Sequence, residues 1–377
     1  LAATCLLAGV GLASLWSASA GYALSIGKGA HYFVLRQALY YLPALAAFLV
    51  CALVPLERLR AKVGIITIVG LGLLFLPFIP GLGENRNGAS RWIDLGFSTF
   101  QPSELWKPIS VLYLAHIMDR RGKDLSEGAG VLLPPLMLTG FACLVVYMQN
   151  DFSTAVVVGA AAVIVFWAAG APYSFFLGLG AAVTPLAALS VLTSDFRLRR
   201  ILAFLFPAYE PHGQGYQVLG SIRAIRAGGL VGKGIGLGTL KLASVPEVQS
   251  DFVFAAWTEE TGFLGVLAFF AIWGLLAWRA FRNAFAEEDA FRSYLGFGLA
   301  SLLVMEVLVN VAVAAGVVPA TGLALPFFSA GGSSLIAAAI ICGLLYNLSR
   351  GRAEAEAARP EDRPMARAYG VGEDANV

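Results

Sequence analysis

Residues 246–279 read PEVQSDFVFAAWTEETGFLGVLAFFAIWGLLAWR. A polar stretch gives way at Asp251 to an apolar run long enough to cross hydrocarbon, because a core about 30 Å thick takes about 20 helical residues. Four carboxylates crowd the junction, Glu247 and Asp251 ahead of the run and Glu259 and Glu260 inside it. Acids within such a run are costly, so each calls for a partner or a task.

The apolar theme continues in both directions. Of 377 residues, 58% are hydrophobic and 13% charged, with mean hydropathy +0.75, whereas soluble domains carry about 25% charged residues. This is the composition of an integral membrane protein, and a net charge of +2 is too small to suggest nucleic acid. Spans are expected near 2–24, 33–54, 63–80, 103–118, 131–149, 152–171, 173–193, 252–279, 293–317 and 325–348. The runs are continuous rather than alternating, and lipid tolerates no open strand edge, so the expected fold is all-α with ten transmembrane helices. The first run lacks a basic flank and a small-residue cleavage site, so it reads as a retained helix with further residues expected before Leu1. Cys5, Cys51, Cys143 and Cys342 lie far apart in apolar segments and read as small buried hydrophobes. No internal repeat stands out.

Lysine and arginine in short loops set orientation. Arg58, Arg60 and Lys62 follow the second span, Arg120, Arg121 and Lys123 the fourth, and Arg279, Arg282 and Arg292 the eighth. The opposite side offers Lys28, Arg86 and Arg91. Both termini are therefore expected in the cytoplasm. Residues 1–349 form one membrane domain, and 350–377, mixing charge with alanine and proline, form a disordered cytoplasmic tail.

The seventh and eighth spans are joined by an external loop, 194–251. A structureless connection that long is usually functional. It carries Arg197, Arg199, Arg200, Arg223, Arg226, Lys233 and Lys241 against Asp195, Glu210, Glu247 and Asp251. Two accounts stand: a solvated loop with scattered charge, or a site for an anion, for which arginine's planar fork is suited. Arg223 and Arg226 share a helical face at i,i+3. The glycines after them permit close backbone approach or simply a turn. "GGLVGKGIG" is no nucleotide loop, since Gly234 follows Lys233 where serine or threonine is required.

With this orientation, polar groups gather in the outer half of the membrane. Glu104 and Lys107 lie in the first turns of the fourth span and Asp151 opens the sixth. Glu259 and Glu260 sit about 12–14 Å along the eighth at ~1.5 Å per residue. Glu306 and Asn310 lie on the ninth, and Ser333 and Ser334 on the tenth. Plainer roles remain open for each: an i,i+3 ion pair for Glu104 and Lys107, interhelical hydrogen bonds for Glu259, Glu260, Glu306 and Asn310, and a helix cap for Asp151. Together they describe a polar cavity open to the outside beneath a cationic loop. It suits an amphiphile with an anionic head.

"NGASRWIDLGFSTFQPSELWK", "GYQVLGSIRAIRAGGLVGKGIGLG", "PEVQSDFVFA…EETGFLG" and "PATGLALPFFSAGGSS" resemble, in order, the motifs of the shape, elongation, division and sporulation family, the FtsW/RodA proteins. The resemblance spans nearly the whole chain. It implies a ten-span fold, polymerisation of lipid II in the cytoplasmic membrane of a bacterium, and a class B penicillin-binding protein as transpeptidase partner. Departures occur at Gln249 and Ser250, where the family has His and Thr, at Glu306, where it has Gln, and at Asn150, Ser153 and Ala330. Arg36 and Gln37 in "FVLRQ" favour the FtsW branch.

Joining a sugar hydroxyl to an anomeric carbon needs a base, and the departing lipid pyrophosphate needs positive charge. Asp251, at the junction of loop and membrane, is the expected general base, as resemblance to the family's essential Asp also implies; a cap for the eighth span is its plainer role. Glu247 raises the proton affinity of Asp251 if the segment is helical. Arg91, Lys107, Arg223 and Arg226, with Arg200 and Lys233, are expected on the pyrophosphate. Glu104 orients Lys107, and Ser333 adds a polar contact. A divalent cation, Mg or Mn, would share the phosphate charge, but no dedicated cage is visible. A lipid II flippase and a non-catalytic scaffold are the competing readings; a flippase requires polar access from both faces, and ionisable groups are scarce in the inner half.

Overall fold

The structure is a computed structural model, describing residues 1–86, 89–96, 98–122, 129–206, 214–239 and 249–358. Helices α1 (Ala2–Ser25) and α2 (Tyr32–Leu53) are followed by a short α3 (Leu56–Ala61) and by α4 (Val63–Leu73). After a sheet come α5 (Pro102–Arg121), α6 (Leu133–Met148), α7 (Phe152–Ala168) and α8 (Tyr173–Leu192). Two amphipathic pieces, α9 (Asp195–Leu205) and α10 (Gln214–Gly228), precede α11 (Val253–Phe285), α12 (Ala290–Ala314) and α13 (Gly332–Ala358). Among the described residues seven helices are long and apolar enough to cross a membrane: α1, α2, α6 with the turn before it, α8, α11, α12 and α13. Each expected span falls on a helix, but α4 and α7 are shorter, and α5, which carries Glu104, Lys107, Asp119, Arg120 and Arg121, is not among the seven.

Local chemistry explains several boundaries. Asp151 precedes α7 and accepts from the Thr154 N–H at 3.4 Å, and Asp289 caps α12 through the Arg292 N–H at 2.9 Å. Pro102 opens α5, where a missing N–H is harmless. The core forms where α12, buried along most of its length, packs on α5, α7 and α11, while α13 packs on α2.

Four expectations need correction. The chain is not all-α: β1 (Gly83–Arg86), β2 (Ala89–Asp94) and β3 (Thr99–Phe100) form an antiparallel sheet in the order β1-β2-β3 between α4 and α5. Outside hydrocarbon, short strands with partly wet edges are tolerated. The connection after α8 is not structureless, since α9 and α10 occupy much of it. The tenth helix starts at Gly332 rather than 325. Pro326 lacks an N–H and Phe327 holds a left-handed φ of 68°, so 325–331 forms a buried non-helical strap. Gly11 lets α1 lie against it, because a Cβ there would stand 2.3 Å from the Phe327 carbonyl oxygen. Finally, α13 continues to Ala358, so 350–358 is helical, and the rest of the expected tail, 359–377, lies outside the described residues.

The basic loops gather at one end of the bundle. Arg60 pairs with Asp119 at the end of α5 and, at 3.6 Å, with Asp289, while Arg292 reaches Glu57 at 2.6 Å. That hydrogen bond holds the Glu57 carboxyl below its ordinary range. Asp151 and Asp251 lie just before α7 and α11, while Arg91 stands on β2 and Arg200 on α9.

Candidate active site

Asp251 sits two residues before α11, half-buried. Its backbone carbonyl accepts from Asn310 of α12 at 3.3 Å, and the same amide donates to the Leu323 carbonyl at 2.8 Å. Two further bonds tie the preceding turn to the strap: Ser329 donates to the Ser250 carbonyl, and the Ala330 N–H donates to the Gln249 carbonyl at 2.8 Å. Gly322 borders the carboxylate; a Cβ there would lie 3.9 Å from Asp251 Oδ2. The base candidate is thus anchored through its backbone carbonyl to α12 and, through the turn before it, to the strap.

Arg200 lies in the field of Asp251, and around that guanidinium stand Arg91 and a second carboxylate, Asp151. Arg200, on α9, donates to the Ala320 carbonyl at 3.2 Å. Burial lowers the proton affinity of this guanidinium and the neighbouring Arg91 lowers it further, while Asp251 and Asp151 oppose the shift. Arg91, on β2, stands 3.6 Å from Asp151 Oδ1 with its guanidinium stacked on Trp92. Gln101 donates to Asp151 Oδ2 at 2.8 Å, and Ser103 donates to the same oxygen at 3.2 Å. Asp151 is therefore both cap and anchor. Ser333 accepts from the Gln101 N–H at 2.9 Å, which joins α13 to the sheet side of the site.

Other predicted residues go elsewhere. Glu104 and Lys107 are buried, 2.7 Å apart, and Lys107 also pairs with Glu306 of α12, so the three close a charged triad inside the bundle. Arg223 and Arg226 are exposed on α10, whose other face carries Ser221, bonded to the Ala314 carbonyl. Lys233 pairs with the buried Glu259 at 2.8 Å. Glu260 accepts from Ser17 of α1 and from the Gly236 N–H at 3.1 Å. Glu247 lies outside the described residues. No group of three or more candidate metal ligands occurs among the described residues.

Sequence reading overlooked Gln101, Ser103 and Thr321. Gln101 stood inside the quoted "QPSELWK", but an amide reads as neutral until a carboxylate is found opposite it. Thr321 acts through its carbonyl, which accepts from Ser153 at 2.8 Å; a backbone acceptor leaves no trace in side-chain pattern.

Known proteins share this architecture. A probable peptidoglycan glycosyltransferase FtsW from Geobacter sp. (strain M18) is 37% identical over 339 residues, 90% of this chain and 92% of its own. A solved chain from a peptidoglycan synthase complex, in which polymerization and crosslinking are coordinated, superposes with a TM-score of 0.74 at 30% identity, over 92% of this chain and 97% of that one. The rod shape determining protein RodA of Thermus thermophilus gives a TM-score of 0.68 at 28% identity, covering 93% and 95%. The family model for FtsW, RodA and SpoVE, described as cell cycle protein, matches residues 1–354, and the chain belongs to that family.

Proposed function

We propose that the protein is a peptidoglycan glycosyltransferase that polymerises lipid II at the outer face of the cytoplasmic membrane, with Asp251 as general base. The observation that carries the reading is the half-buried Asp251 carboxylate bordering Gly322, in the field of Arg200, which in turn neighbours Arg91. A base must take the hydroxyl proton as the sugar oxygen attacks, and the departing pyrophosphate must be met by cations already in place. Asp251 supplies the first. Arg91 and Arg200 supply the second, and the exposed Arg223 and Arg226 meet the anionic headgroup as it arrives. Ser333 and Gln101 line the approach. The Glu104–Lys107 pair stiffens the floor of the site, and a divalent cation brought with the pyrophosphate would share its charge beside Asp251 and Asp151. Relatedness to an FtsW protein and to a chain of a peptidoglycan synthase complex supports both the reaction and a class B penicillin-binding protein as partner.

The same reading has ten membrane crossings with both termini in the cytoplasm. Its support is the meeting of the arginine-bearing loops at one end of the bundle.

Purified Asp251→Asn protein supplied with lipid II is expected to yield no glycan polymer while keeping its melting temperature in detergent. Near-normal polymer on a gel removes Asp251 from the role. Lipid II carried across a vesicle membrane by the unmodified chain, without polymer, replaces the enzyme with a flippase.

A further inference from the structure

The long helix α11 is two helices in series. At Gly262 the backbone takes φ 64° and ψ −163°, a region open essentially only to glycine. The outer piece, 253–261, follows Asp251 directly. At such a break the last carbonyls of one piece and the first N–H groups of the next lose their partners, which is costly within hydrocarbon.

Residues 229–234 supply partners to two groups on each side of the break. The Lys233 N–H donates to the Glu259 carbonyl at 3.0 Å and the Gly234 N–H to the Glu260 carbonyl at 2.9 Å. In return, the Phe263 N–H donates to the Gly229 carbonyl at 2.9 Å and the Leu264 N–H to the Leu230 carbonyl at 3.1 Å. Side chains add a second layer: Glu259 holds Lys233 Nζ at 2.8 Å and the Thr239 N–H at 2.9 Å, and Glu260 holds the Gly236 N–H. The approach is too close for side chains, since a Cβ on Gly228 or Gly232 would stand 2.1 Å from the Thr258 or Glu260 carbonyl oxygen. Outward, the loop shows Leu230, Val231, Ile235 and Leu237, each at least 64% exposed. An apolar rim with these backbone groups bonded to α11 suits a segment lodged among acyl chains.

We propose that the loop 229–238 is a splint across the break in α11, and that Lys233 and Glu259 are positioning residues that hold the outer piece, and so Asp251, in register with Arg91 and Arg200. The proposal rests on Asp251 being the base. It gives the glycines a task, bridging a broken helix, that involves no contact with phosphate. It also explains why an ion pair was built at a depth where a lone acid is costly. Neither residue touches the substrate, so their loss acts on the chemical step rather than on binding.

The test uses the full chain reconstituted with lipid II. Lys233→Met is expected to lower kcat roughly 10- to 100-fold, the scale of a misplacement of about 1 Å, with KM changed less than about twofold. Lys233→Arg is expected to restore most of the rate. Without lipid II, hydrogen exchange at the Gly234, Phe263 and Leu264 amides is expected to quicken in Lys233→Met and not in Lys233→Arg. Glu259→Gln should match Lys233→Met, with the double variant no worse than either alone. If Glu259→Gln does not fold, Lys233→Met still decides, because its side chain is one-third exposed. A raised KM with kcat intact makes Lys233 a substrate ligand and overturns the proposal, as does unchanged exchange. Polymer from Asp251→Asn would defeat the base assignment alone, because the exchange measurement reads the splint without any turnover.

Discussion

At the scale of single residues the buried triad is the sharpest feature. Lys107 lies between Glu104 and Glu306, with all three side chains at most 8% exposed. Two carboxyl groups share one cation in the interior. Removing a partner from a buried ion pair costs about 3–5 kcal/mol. Lys107→Ala, which strands two acids, should therefore lower the melting temperature in detergent far more than Glu306→Gln, which leaves a neutral pair and puts a glutamine where the family resemblance expects one. Equal losses from the two substitutions would show that the triad is not charge-balanced in this way. Glu104 with Lys107 was legible from spacing alone, because i,i+3 residues meet on any helix. Glu306 was legible as a polar residue but not as their partner: the pairing spans about 200 positions and depends on how α12 crosses α5. Asp151 was legible as a cap. Its second set of contacts, with Gln101, Ser103 and Arg91, depends on the sheet that carries Arg91.

At the scale of elements, apolar run length located the helices, since nothing else satisfies a backbone in lipid. The departures occur where the backbone leaves that rule. The strands were hidden because 83–100 mixes Glu84, Arg86, Arg91 and Asp94 with few apolar positions. The one strong signal was Asn87-Gly88, the pair favoured in two-residue hairpin connections, between β1 and β2. The break in α11 was hidden because a lone glycine in an apolar run is ordinary, and its left-handed conformation follows from a loop arriving 30 residues earlier in sequence. Gly262→Ala puts a Cβ 2.3 Å from the Gly232 nitrogen in a backbone region alanine avoids. A loss of about 1–3 kcal/mol from the backbone conformation alone is expected, read as a lower melting temperature in detergent. An unchanged melting temperature would mean that the helix straightens freely.

At the scale of the whole molecule, charge in the short loops anticipated which connections share an end, and the ion pairs among Glu57, Arg60, Asp119, Asp289 and Arg292 join those same connections. Absolute orientation is read by labelling. In an otherwise cysteine-free chain, a cysteine replacing Lys28 should react with an impermeant maleimide on intact cells, and one replacing Arg282 only after permeabilisation; the reverse pattern inverts the proposed topology. One helix stands apart from this frame. No residue of α8 is buried, and its C-terminal end is tied through Arg197, which donates to the Ser190 carbonyl at 3.0 Å and to the Tyr147 hydroxyl at 2.7 Å. Arg197 and Arg200 ride on the same short helix, so a strut standing in fatty chains is joined through one element to the guanidinium in the field of Asp251. A helix with so little packing to fix its tilt is the one expected to answer to bilayer thickness. Membranes of different thickness are therefore expected to shift the surroundings of Asp251 through this one element.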